Sequence, residues 1–280
     1  MNDYRWITGS VGIEVEYPIG EFQAHLGLNA DVRYVGYTHA TYRDPVIKHD
    51  GSCGVTYDGD HTDGCELVSP PTHLSQLQPF GRLAERLSES INFTEYFDDS
   101  EYTREAEPFD YRLCGVHVHV GMAIDHGELS SSINRRRLDR LWHSYIARRA
   151  AILEFVGDDR DPLKSQHAAR YCGDYMAMSD KYGQLNLSPI MSGRQQTIEF
   201  RQMGHTSLRH GAHYLHSWAD IYEWALFVAL LTEQATRPAG WLLDERQYWT
   251  DSPDKRPVDG QPWSNFWLRP KGQLTTALNW

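Results

Sequence analysis

The sequence has little cysteine, no glycine-rich phosphate loop, no long apolar run and no excess of positive charge. Its four cysteines, Cys53, Cys65, Cys114 and Cys172, form no CxxC pair, which speaks against a disulfide framework or a zinc ribbon and for reduced thiols. Three of them stand beside candidate ligands, so a Cys/His zinc site remains open at this stage. Without GxxxxGK[ST] or GxGxxG, any nucleotide has to be held by metal ions and strand side chains rather than by a helix N-terminus. The longest strongly apolar run, Ala225 to Leu231, is far short of the ~20 residues that cross a bilayer. No N-terminal stretch combines basic residues, an apolar segment and a cleavage site, and a soluble, cytoplasmic protein is expected. A net charge of −11 argues against a surface shaped for nucleic acid or anionic lipid. The basic cluster RRRLDR at 135–140 reads most simply as a solvated helix face.

Linkers, repeats and low-complexity tracts are missing too. The 280 residues are therefore read as one domain, with an irregular, Trp- and Pro-rich segment at 237–280. Nine Trp, sixteen Tyr and nine Phe supply large flat side chains for a core.

The clearest positive signal is alternation. Ile7–Pro18 places Val11, Ile13, Val15 and Tyr17 on one face and Gly12, Glu14 and Glu16 on the other. In LCGVHVHVG (113–121) three valines alternate with His117 and His119, and in TIEFRQMG (197–204) Ile198 and Phe200 alternate with Glu199 and Arg201. CELVSPP (65–71) reads as a strand stopped by its prolines, and HDGSCG (49–54) as a turn. Helices are expected over 74–91 with Ser75 as cap, over 130–155 and over 207–236. Residues 20–48 read as loops or irregular strands. The order predicts an α+β fold with a largely antiparallel sheet and helices packed on one side.

Either an ExE or an HxH alone is more simply a solvated sheet face or a core pair. Here four strands each present ligand-type residues away from their apolar neighbours: Glu14 and Glu16, Glu66, His117 and His119, and Glu199 with Arg201. If these faces converge, so many carboxylates need cations, and a set rich in carboxylate oxygens suits Mg2+ or Mn2+ better than zinc. Arg201 then stands beside the ions, as suits a transferring phosphoryl group or a substrate carboxylate. A zinc hydrolase built on HVH, or a ligand-binding module without turnover, accounts for the same residues.

Together GIEVEYP (12–18), DGS (50–52) with CELVSPP, CGVHVHVG (114–121) and TIEFRQMGHTS (197–207) resemble, in order, the amidoligase family of the carboxylate–amine ligase superfamily, relatives of glutamine synthetase and glutamate–cysteine ligase. The resemblance spans roughly residues 9–225. It implies a curved antiparallel sheet forming a funnel, ATP, two or three divalent ions, and amide formation through an acyl-phosphate. It further implies Glu14, Glu16, Asp50, Glu66, His117 and Glu199 as ion ligands, Arg201, Glu199 and Glu66 as catalytic residues, and His119, Arg201, Arg170 and Asn186 as nucleotide or substrate contacts. Arg194 reads as a loop charge. No segment of the 280 residues resembles the separate N-terminal domain or the ammonia-site loops of glutamine synthetase, so glutamine synthesis itself is not expected; the expected substrates are a small-molecule, amino-acid or peptide carboxylate and an amine, without nucleic acid or membrane.

Overall fold

Period-two sequence gives extended chain, and here eight strands join edge to edge in one sheet. The computed structural model describes residues 7–28, 32–36, 43–57, 60–90, 114–124, 126–129, 131–157, 160–164, 168–169, 172–178, 180–209 and 212–236. In chain order, β1 (Ile7–Tyr17) leads to α1 (Glu21–Gly27), β2 (Arg33–Tyr34), β3 (Val46–Tyr57) and β4 (Asp60–Val68). A 3-10 turn at Leu74–Gln76 precedes α2 (Gln78–Ser90), and β5 (Val116–Met122) follows. Three helices come next, α3 (His126–Leu129), α4 (Ser132–Ile146) and α5 (Arg149–Val156). The last elements are β6 (Gly173–Ala177), β7 (Gly183–Asn186), α6 (Ser188–Met191), β8 (Thr197–Phe200), the hairpin β9 (Thr206–Arg209) and β10 (Ala212–Leu215), and α7 (Trp218–Thr236).

The sheet runs β2-β3-β4-β1-β5-β8-β7-β6. Its centre is antiparallel as expected, but the outermost pairs, β2 with β3 and β6 with β7, are parallel, so the sheet of this α+β fold is mixed. One face carries Val11, Ile13, Val15 and Tyr17 of β1, Val116, Val118 and Val120 of β5, and Ile198 and Phe200 of β8, all buried in one core. Against this face lies α7, flanked by α2 and α4. Nearly every residue of α7 is buried, including Trp224, Phe227 and Leu230, which is the pattern of a helix enclosed on all sides. Among the described residues no helix is long and apolar enough to cross a membrane.

Local structure departs from the sequence reading at several points. HDGSCG is part of β3, whose pairing with β4 shifts register between Asp50 and Val55 and so absorbs the glycines as an irregularity rather than a turn. The helix expected over 130–155 breaks after Ile146, because Arg148 leaves the helical region at φ −104° and ψ 8°, while the apolar stripe continues and hides the break. The helix expected from 207 begins only at Trp218, and the chain before it forms the β9–β10 hairpin. The true start was legible in Ser217-Trp-Ala-Asp220: Ser217 N donates to Asp220 Oδ2 at 2.8 Å, and Asp220 N approaches Ser217 Oγ at 3.3 Å, a reciprocal cap. His73 rather than Ser75 caps the 3-10 turn, its ring accepting from Ser75 N. Residues 20–48 hold α1, β2 and the start of β3. The reading of RRRLDR as a solvated face holds: Arg135, Arg136 and Arg140 are exposed on α4. The segment 237–280 lies outside the described residues.

Gly81 tests how tightly α2 meets α7. A Cβ there would come within 2.2 Å of the Trp218 ring, itself wedged beside Phe80 and Tyr222. Ala gains about 1 kcal/mol over Gly in helix propensity, whereas overpacking costs about 1–3 kcal/mol. Gly81→Ala is therefore expected to lower stability by up to about 2 kcal/mol, seen as a lower urea midpoint at unchanged slope. A raised midpoint would show that Trp218 repacks freely.

Candidate functional site

Directly opposed residues of antiparallel strands share a face, and neighbouring strands lie about 4.8 Å apart. The polar face of the sheet is consequently a grid. Gly12, His119, Glu199 and Asn186 form one row across β1, β5, β8 and β7. Glu14 opposes His117 in the next row, and Glu16, Glu66 and Lys48 make a third across β1, β4 and β3. The convergence read from alternation is found: Glu14, Glu16, Glu66, His117, His119 and Glu199 all line one cavity of about 650 Å3, with Arg201 and Asp50.

His117 lies at the centre. Its Nδ1 is 3.6 Å from Glu14 Oε2 and 3.5 Å from Glu199 Oε1, and its Nε2 is 3.5 Å from Glu16 Oε1. The Arg201 guanidinium donates to one oxygen of Glu199 and the Asn186 amide to the other, while Ser188 N donates to Asn186 Oδ1 at 2.9 Å. Gly115 N donates to Glu16. Lys48 Nζ sits between two carboxylates, 3.4 Å from Glu66 and 3.7 Å from Glu14.

Burial raises every carboxyl pKa in the patch, and the partners decide which group stays charged. For Glu14, His119, the hydrogen bonds of both imidazoles and Lys48 outweigh burial and hold the group well below its usual range. Glu199 is likewise lowered against burial, first by Arg201 and then by the two imidazoles. Burial, reinforced by Glu14, leaves Glu66 well above the usual range despite Lys48. Glu16 is raised by burial and by Asp50, against His117 and Arg201. Of the two carboxyls that Lys48 bridges, Glu14 is thus the one more strongly held in its charged form.

This donor set fits a hard divalent cation. One atom each from Glu14, His119 and Glu199 lie within 4.8 Å of one another, and His119 Nε2 is buried without a hydrogen-bond partner although Glu14 Oε2 is 3.5 Å away. The other ring nitrogen of His119 is 3.2 Å from Thr197 Oγ1. Arg201 Nε is also buried and unpartnered.

Several expectations change. His119, expected as a nucleotide contact or a residue behind the ligands, lies with Glu14 and Glu199 in a trio able to hold an ion, because β1 and β8 bring those carboxylates to its ring. Asn186, expected to contact nucleotide or substrate, lines the cavity and there uses its amide on Glu199 and on Ser188 N. Asp50 reaches the cavity from a strand, not a turn. Arg194, expected as a loop charge, is exposed and lines the cavity mouth after α6. Arg170 lies outside the described residues. All four cysteines are buried thiols outside the cavity lining, and the hydrogen bond with Cys114, then burial, pushes the Cys53 thiol well up, so a Cys/His zinc site has no support here.

The sequence matches no protein-family model, and no curated protein is significantly similar to it.

Lys48 was missed because it fell in the stretch read as irregular; once β3 is known to start at Val46, the alternation of Ile47 inward and Lys48 outward is plain. His205 was missed as well. Fully buried, it approaches the Glu16 carbonyl through Nδ1 at 3.0 Å, which makes Nδ1 the protonated nitrogen, and its Nε2 faces Ser88 Oγ at 3.3 Å.

Burial drives the His205 pKa from 6.5 down to about 4. The unfolded chain therefore takes up this proton first as pH falls. The stability contributed by the neutral ring is complete above about pH 6.5 and drains away toward pH 4, by at most ~3 kcal/mol. Urea unfolding of the unmodified protein is expected to lose more stability between pH 7 and pH 4.5 than that of His205→Gln. Equal losses would show that this ring is not the titrating group.

Proposed function

We propose that the chain is an ATP-dependent carboxylate–amine ligase, working with Mg2+ or Mn2+ and forming an amide through an acyl-phosphate. What supports the reading is the cavity itself, where carboxylates and imidazoles from β1, β4, β5 and β8 meet, with an arginine fixed by one of those carboxylates. In this reading the sheet is the floor of a glutamine-synthetase-like funnel and the chain a member of the amidoligase family. The work is set in the cytoplasm, on a small-molecule, amino-acid or peptide carboxylate and an amine.

The reaction is a displacement followed by a capture. A carboxylate oxygen of the acid attacks the γ-phosphorus of ATP, the bond to the bridging oxygen breaks, and ADP leaves with that electron pair. The amine then attacks the acyl carbon, phosphate departs and the amine gives up a proton. Divalent ions, when bound, supply charge neutralisation for the phosphoryl oxygens and a fixed geometry. Glu14, His119 and Glu199 are the residues to hold such an ion. Arg201 holds its guanidinium over the same cavity, aimed by Glu199, so that an N–H faces the transferring group without reorganisation. Asn186 keeps the Glu199 carboxylate from rotating. No covalent enzyme intermediate is required; positioning and fixed charge carry the acceleration.

Two measurements test the reading. ATP is expected to bind in calorimetry with Mg2+ or Mn2+ present and much more weakly in chelator; equal affinity in both would remove the ion cluster as phosphate holder, and tight zinc binding without ATP binding would favour hydrolysis. Glu199→Ala is expected to weaken ion-dependent ATP binding. Arg201→Lys keeps a charge beside Glu199 but loses the planar fork. It is expected to leave ATP affinity within a few-fold while slowing ATP turnover by up to about a thousandfold, or ~4 kcal/mol of barrier. Unchanged turnover would reduce Arg201 to a partner of Glu199.

A further inference from the structure

The patch contains more than ligands. Lys48 is buried, opposes Glu66 directly across β3 and β4, and reaches both Glu66 and Glu14 at salt-bridge distance. An ammonium and a divalent ion answer the same need of two adjacent carboxylates, and they exclude each other from one position. Counting charge over the residues joined by these contacts decides how many ions fit. The four glutamates, Glu14, Glu16, Glu66 and Glu199, face two fixed cations, Lys48 and Arg201. With every carboxyl counted as ionised and the imidazoles as neutral, at most two negative charges remain. One divalent ion offsets that maximum, whereas a second would leave the patch at least two charges positive before any nucleotide arrives, a state that a poorly solvated site resists.

Resting on the ion reading given above, we propose that Lys48 is a built-in cation standing where a second metal ion would otherwise sit, so that the chain holds a single resident divalent ion at Glu14, His119 and Glu199. Glu66 is then the partner of Lys48 and a positioning residue, not a ligand. Further ions enter with the phosphates of the nucleotide, which bring the negative charge to hold them. The ammonium also fixes Glu14 from the side away from the ion, so that this carboxylate offers one oxygen edge to the metal.

The test is Mn2+ stoichiometry without nucleotide, followed by the electron-spin-resonance signal of free Mn2+ on titration. The unmodified protein is expected to take up one Mn2+ per chain, Lys48→Arg also one, and Lys48→Met two. Two or more ions on the unmodified protein would overturn the proposal while leaving the ion reading intact. One ion on Lys48→Met, with native circular dichroism, would likewise overturn it. No Mn2+ uptake by the unmodified protein would sink both readings. Should Lys48→Met fail to fold, the stoichiometry of the unmodified protein still decides, since one ion supports the proposal and two refute it.

Discussion

Charge has to be balanced on a surface that water scarcely reaches, and most features of the polar face follow from that. An ion moved out of water without compensation costs several kcal/mol even after the protein relaxes. Each glutamate of the patch accordingly has a partner fixed by backbone geometry. Gly115 N meets Glu16, the Asn186 amide and the Arg201 guanidinium meet Glu199, and Lys48 bridges Glu14 and Glu66. Arg201 is itself anchored through its main chain, where its N–H donates to the Gln184 carbonyl at 3.1 Å, so the last strand pairing before the chain turns away also aims the cation.

The opposite face obeys a different rule. There the valines of β1 and β5 meet α7, whose buried surface extends all round the helix, and the only demands are apolar area and shape. Two hydroxyls that enter this layer have acceptors, Tyr17 OH the Ala84 carbonyl at 3.0 Å and Tyr145 OH Gln202 Oε1 at 2.6 Å, whereas the buried indole nitrogens of Trp218 and Trp224 have none. Gln202 in turn donates toward the Arg160 carbonyl at 3.3 Å, so the chain of bonds ends on backbone.

What the sequence disclosed was whatever period two controls. In β1 and β5 the alternation is long enough to separate the faces, and beyond the four residues of β8 it runs on in the sequence through Arg201, so that Glu14, His117 and Glu199 could be expected in one cavity. Less was legible where an element is short or its signal mixed. The strands β6 and β7 have five and four residues, too few for a period to show, and the Asp–Gly pair at 50–51 imitates a turn inside β3. Lys48 has a further reason for escaping notice: a basic residue on a strand ordinarily marks solvent, and only the cross-strand register with Glu66 reveals that it is enclosed. The roles of His119 and Asn186 depended on which strands lie next to one another, β5 beside β8 and β8 beside β7, and pairing order is not a local property of sequence.

The grid of opposed residues also constrains how the chain can fold. Because side chains alternate strictly, sliding β1 by a single residue against β4 and β5 would turn Glu14 and Glu16 toward α7 and bring Val15 and Ile13 out among the imidazoles. Valine-rich strands by themselves tolerate such slippage poorly but not prohibitively; carboxylates forced into an apolar layer forbid it. The acidic residues therefore act as keys during assembly, rejecting misaligned pairings before any ligand is present. A variant that replaced them all with apolar residues would lose more than a cavity, since far less on that face of β1 would remain to tell one alignment of the strands from the next.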